Sequence, residues 1–117
     1  MTTALTDIFG ALADSTRLRL ISLLVAEGEL CVCELVTALD LSQPKISRHL
    51  GVLRGLRLVT DRRDANRVFY RLSPDLPAPV RAILQTVAGA TTAAEDLVAD
   101  RRRLAGMPGR PAVQRLA

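Results

Sequence analysis

Two cysteines occur in the 117-residue chain, separated by one valine: Cys31-Val32-Cys33. Thiolates are soft donors that suit soft metal and metalloid ions. The pair falls where a helix is expected to begin, and a helix N-terminus favours the charged form of a thiol. Residues two apart on a regular helix are rotated by about 200°. Both sulfurs could then grip one ion only if that first turn distorts. The single histidine, His49, leaves the chain short of the four-ligand pattern of structural zinc. The same thiols could serve as a redox switch, oxidised to a disulfide or a sulfenic acid, or simply pack as small hydrophobes. A thiol oxidoreductase is a further alternative, but no redox fold pattern surrounds the pair. With no Gly-rich phosphate loop and no carboxylates paired in a plausible pocket, the chain does not read as an enzyme.

A second group of residues lies a short way downstream. In Ser42-Gln43-Pro44-Lys45-Ile46-Ser47-Arg48-His49-Leu50, a turn of about 100° per residue points Ile46, Leu50 and Leu53 inward. Pro44, Lys45, Ser47 and Arg48 then face out, with Gln43 and His49 on the flanks. Arg48 can fork onto guanine or clamp a phosphate. Lys45 suits a phosphate contact, and Ser42, Gln43 and Ser47 sit near a helix N-terminus, where N–H groups meet phosphates. A predicted hairpin carries Arg62, Arg63 and Arg67, which could reach the neighbouring groove or backbone.

The elements that must position these groups follow from periodicity. Leu5, Ile8, Phe9 and Leu12 mark a first helix over about Thr3–Ala13. Asp14 or Ser15 caps a second, with Leu18, Ile21, Leu24 and Val25 inward and Gly28 as its stop. Cys31–Leu39 reads as a third, short helix. After the turn Asp40-Leu41-Ser42, Ser42 caps a fourth over Gln43–Arg54, with Pro44 in its first turn. Leu58–Arg62 and Arg67–Leu72 form a β-hairpin, and residues 73–79, with three prolines, connect it onward. A long helical stripe, Val80, Ile83, Leu84, Val87, Ala94, Leu97 and Val98, runs to about Leu104 and calls for a partner subunit as cover. The fold expected is mainly α with a small hairpin, a winged helix-turn-helix that dimerises through its terminal helices. Residues 1–105 form that domain and 106–117 a flexible tail.

Charge distribution agrees with this layout. The chain has a net charge of +4. Residues 1–39 carry −3, residues 40–71 carry +5 and residues 72–117 carry +2. A basic middle is the footprint of a polyanion-binding surface. The composition, 49% hydrophobic but 3% aromatic, requires an aliphatic core. No apolar run approaches the length of a membrane span, and the N-terminus does not read as a signal peptide. A cytoplasmic location, where thiols stay reduced, is expected.

The stretch Glu29-Leu30-Cys31-Val32-Cys33-Glu34-Leu35, continued by Ser42 through Leu50, resembles the arsenical-resistance repressors of the ArsR/SmtB family. The likeness runs from about Phe9 to Pro74. It implies a homodimer on double-stranded operator DNA of inverted-repeat symmetry, released when trivalent arsenic or antimony binds Cys31 and Cys33. Arsenic sensors with this motif commonly carry a third cysteine three residues after the second; here that position is Val36. A dithiol suits a monomethylated arsenical, which offers two exchangeable sites. The family's cadmium/lead sensors add cysteines from the N-terminal arm and its zinc sensors place histidine on the last helix. Neither feature is present.

Overall fold

The computed structural model describes residues 3–111. Helices and short strands follow one another: α1 (Leu5–Leu12), α2 (Ser15–Glu27), β1 (Leu30–Cys31), α3 (Val32–Leu39), α4 (Gln43–Gly55), β2 (Val59–Asp64), β3 (Arg67–Leu72), α5 (Ala78–Ala88) and α6 (Thr91–Ala105). The strands form an antiparallel sheet in the order β1-β3-β2. It is mostly helical, with the β2–β3 hairpin as its wing, as expected.

Local chemistry explains the boundaries. Asp14 caps α2, its carboxylate accepting the Arg17 N–H at 3.0 Å. Gly28 ends α2 with φ +87°, a conformation that favours glycine. Ser42 caps α4, accepting the Lys45 N–H at 3.4 Å, and Pro44 occupies the first turn, where no N–H is missed. Asp40, with φ 54°, turns the chain between α3 and α4. The core is aliphatic: Leu20, Ile21, Leu23, Leu24, Leu35, Ile46, Leu50 and Leu53 are almost wholly buried.

Three features differ from the sequence reading. α2 buries Leu20 and Leu23 completely, whereas Leu18 and Val25 of the expected stripe are half-buried. The reason is that α2 is the central helix, packed by α1, α4, α5 and α6 together, so its apolar surface is wider than one stripe. The single long terminal helix is two helices, broken at Gly89-Ala90. Leu84 is buried, and Val80, Ile83, Val87 and Leu97 pack on the chain's own core, so most of the stripe needs no partner; the side chain of Ala94 lies outside the described residues. A third strand, β1, went unseen because two residues carry no period. It pairs Leu30 with Tyr70 and Cys31 with Phe69. That makes β3 central, and Phe69 and Tyr70 are both buried.

No helix among the described residues is long and apolar enough to cross a membrane. Of the segment read as a tail, Met107 packs on the core and Arg110 reaches Glu34 of α3, and residues 112–117 lie outside the described residues.

Candidate nucleic-acid interface and thiol site

α3, the turn at Asp40 and α4 form a helix-turn-helix in which α4 presents its outer face. Ser42, Gln43, Pro44, Lys45, Ser47 and Arg48 are all exposed, while Ile46, Leu50 and Leu53 anchor the inner face. Arg63 and Arg67 are exposed on the wing, where they flank the tip formed by Ala65 and Asn66.

Two members of the expected DNA-contacting set sit differently. His49 is 6% exposed. Its Nδ1 lies 3.2 Å from Arg17 Nη1. A guanidinium only donates, so the ring accepts and is neutral. Burial, opposed by Asp14 but helped by Arg17, Arg48 and Lys45, holds its pKa below the usual histidine value. His49 therefore buttresses α4 from inside. Arg62 is the second. It donates Nε and Nη2 to Glu29 at 2.9 and 2.7 Å and covers the Phe69 ring at 4.7 Å. It ties the wing to the loop before β1. Of the Arg101–Arg103 run, Arg101 pairs with Glu27 at 2.7 Å, and Arg103 with Asp100 and the Ala38 carbonyl.

The thiols also differ from the helical expectation. Cys31 closes β1 in an extended conformation (φ −70°, ψ 151°), and α3 starts one residue later. The two sulfurs therefore turn toward each other: Cys33 S–H donates to Cys31 Sγ at 2.8 Å. Both cysteines are free. No unwinding is needed to bring them to one soft atom. Burial, reinforced by the contact with Cys31 and by the Glu34 carboxylate, pushes the Cys33 pKa up to about 11. The helix terminus, expected to lower it, is outweighed.

Glu34, which sequence reasoning passed over, organises this turn. It is wholly buried. One carboxylate oxygen accepts the Cys31 N–H at 2.8 Å, the carboxylate side of a capping box. The other accepts Arg110 Nε at 2.9 Å. The spacing Cys31-x-x-Glu34 was the available signal, obscured because cysteine stands where serine or threonine is usual.

Cys31 and Cys33 open on a cavity of about 610 Å³. Gln43 and Ser47 of α4, Arg67 and Tyr70 of β3 and Met107 of the C-terminal segment also line it. Val36, where a third thiol could stand, packs against the core instead. Among the described residues no group of three His, Cys, Asp or Glu side chains could hold a metal.

A wing, a paired-helix reading head and an adjoining dithiol define a winged-helix regulator of transcription. Residues 14–61 match the family described as bacterial regulatory protein, arsR family. The arsenic resistance transcriptional regulator ArsR1 of Pseudomonas putida is 52% identical over 104 residues, 89% of this chain and 80% of its own. The arsenical resistance operon repressor of Escherichia coli is 59% identical over 72 residues, 62% of each chain. Among solved structures, HlyU from Vibrio cholerae superposes with a TM-score of 0.63 at 36% identity, covering 70% of this chain and 85% of its own. The chain belongs to the ArsR family. That family consists of transcriptional regulators rather than enzymes.

Proposed function

We propose that this protein is a repressor that holds operator DNA as a homodimer and leaves it when trivalent arsenic or antimony is captured by Cys31 and Cys33. The observation that carries this reading is the shared cavity. The two thiols open on the same space as Gln43 and Ser47 of the exposed α4 face and Arg67 of the wing.

The chemistry fits protonated thiols. Arsenous acid carries three hydroxyl groups. Each thiol displaces one, forming a sulfur–arsenic bond while its proton leaves with the hydroxyl oxygen as water. Two condensations release two waters and leave one hydroxyl on arsenic. A monomethylated arsenical, with a methyl in the third position, is satisfied by two thiols. Antimony in the same oxidation state follows the same balance.

On the DNA side, Arg48 and Lys45, with Ser42, Gln43, Pro44 and Ser47, are the proposed contacts of α4 in the major groove. Arg63 and Arg67 are the proposed wing contacts. Leu5 and Phe9 share one face of α1 and are 51% and 49% exposed, and Val98 of α6 is 57% exposed. These apolar side chains on terminal helices are the proposed dimer cover, and a dimer matches inverted-repeat operators. An occupant of the cavity shares its space with side chains of α4 and the wing, so the positions of those side chains can differ between the free and ligated states. That supplies the difference in affinity between two states on which a switch depends.

The test is fluorescence anisotropy on the operator upstream of the protein's own gene, titrating arsenite, antimonite and methylarsenite under reducing conditions. Release of the wild type and retention of Cys33→Ser supports the proposal. Retention of both overturns it. Release by peroxide but not arsenite would assign the adjacent thiols to redox sensing.

A further inference from the structure

We propose that Arg110 is a positioning residue for the Cys31/Cys33 pair, acting through the buried Glu34 carboxylate and holding residues 107–111 as one wall of the thiol cavity. This deepens the thiol reading and rests on it.

The chain of contacts is short. Glu34 is 0% exposed. It grips the thiol turn by accepting the Cys31 N–H at 2.8 Å. A buried carboxylate needs a counter-charge, and Arg110 supplies it at 2.9 Å from 76 residues away. The same guanidinium reaches Glu27 Oε1 at 3.5 Å. Glu27 is held in turn by Arg101 at 2.7 Å.

The path of the chain brings Arg110 there. α6 ends at Ala105, and Gly109 adopts φ +64°, a left-handed conformation that favours glycine. After the Pro108-Gly109 turn, Arg110 reaches Glu34 of α3. Met107, Pro108, Gly109 and Pro111 consequently line the cavity on which both cysteines open. One ion pair thus secures both the wall of the cavity and the turn that keeps the sulfurs together.

Removing Arg110 strands the Glu34 carboxylate in the interior. Its relief is to swing outward, which gives up the Cys31 N–H and loosens the 2.8 Å approach of the two sulfurs. Partners that orient a metal's ligands typically contribute about 10- to 100-fold to affinity. Arg110 bonds to Glu34 and Glu27 and not to a residue of α4, so operator binding without inducer should persist.

The experiment measures sodium arsenite affinity of full-length wild type, Arg110→Ala and Arg110→Lys, using near-ultraviolet sulfur–arsenic absorption with a non-thiol reductant. Operator affinity without arsenite is measured alongside. The expected result is arsenite binding at least about tenfold weaker in Arg110→Ala, Arg110→Lys intermediate, and operator affinity of both within a few-fold of wild type. Unchanged arsenite affinity in Arg110→Ala overturns the proposal, and so does a parallel loss of operator and arsenite binding. If Arg110→Ala fails to fold by circular dichroism, Arg110→Lys decides: affinity equal to wild type overturns, and weakening supports. Wild type that binds no arsenite removes the thiol reading itself, and this proposal with it.

Discussion

Replacing Asp100 with alanine should destabilise the fold far more than an ordinary surface change. Its carboxylate is 2% exposed. Arg19 donates to it twice, at 3.0 Å through Nε and 2.7 Å through Nη2, and Arg103 Nη2 at 2.5 Å. The two guanidinia go on to hold the Leu39 and Ala38 carbonyls at 2.9 and 2.7 Å. Asp100 therefore fastens the C-terminal end of α3 to α2 and α6. Stranding a buried ionic partner costs roughly 3–5 kcal/mol. Here Arg19 and Arg103 are 20% and 40% exposed and recover some hydration, so about 3 kcal/mol is expected, the lower end of that range. For a chain of this size that is a fall of about 10 °C in Tm. The assay is urea unfolding followed by circular dichroism at fixed protein concentration, because dimerisation would shift the midpoint. Arg19→Ala/Asp100→Ala should lose less than the sum of its single variants. A loss below about 1 kcal/mol for Asp100→Ala, the scale of an exposed ion pair, would refute the reasoning.

Three further outcomes are expected. With its pKa pushed up to about 11, Cys33 should react with iodoacetamide at pH 7 about a hundredfold or more slower than a free cysteine, with a rate still climbing above pH 9; peptide mapping checks this, and a rate that levels off below pH 9 contradicts it. His49 has a depressed pKa because burial disfavours its charged form. The unfolded chain then binds a proton that the folded chain refuses, so stability is full above about pH 6.5 and declines as pH falls below it; His49→Gln should flatten the decline between pH 6.5 and 5.5 in urea midpoints, and an unchanged slope would assign the loss elsewhere. Replacing Lys45 with alanine should weaken operator binding about equally across sequences and reduce the salt slope by about one, whereas Arg48→Ala should also relax discrimination at one base pair by roughly 1–3 kcal/mol; anisotropy at several salt concentrations separates the two.

Much of the fold was legible because its elements are amphipathic and punctuated. Ser42 with Pro44 announces α4, and Asp14 and Gly28 bracket α2. The outward residues of α4 follow from one helical period anchored by Ile46 and Leu50. What escaped depends on tertiary partners. β1 exists only because β3 lies beside it, and that pairing takes Cys31 out of the helix and closes the gap between the thiols. The break at Gly89 was hidden by apolar residues that continue in helical register on both sides. His49 was ambiguous at the edge of an apolar face, and its burial is settled by Arg17, 32 residues away. Arg62 reads as a wing cation until Glu29 is seen to hold it. Glu34 and Arg110, 76 residues apart, have no local signature that joins them.

The central claim is that ligation of the two thiols and release of DNA are one event. It is tested most directly by following both in a single arsenite titration of the operator-bound protein, with sulfur–arsenic absorption reporting the thiols and anisotropy of labelled DNA reporting release. The account predicts that the two signals rise together and that both vanish in Cys33→Ser. Thiols fully ligated on protein still bound to its operator, or release while they remain free, would contradict it.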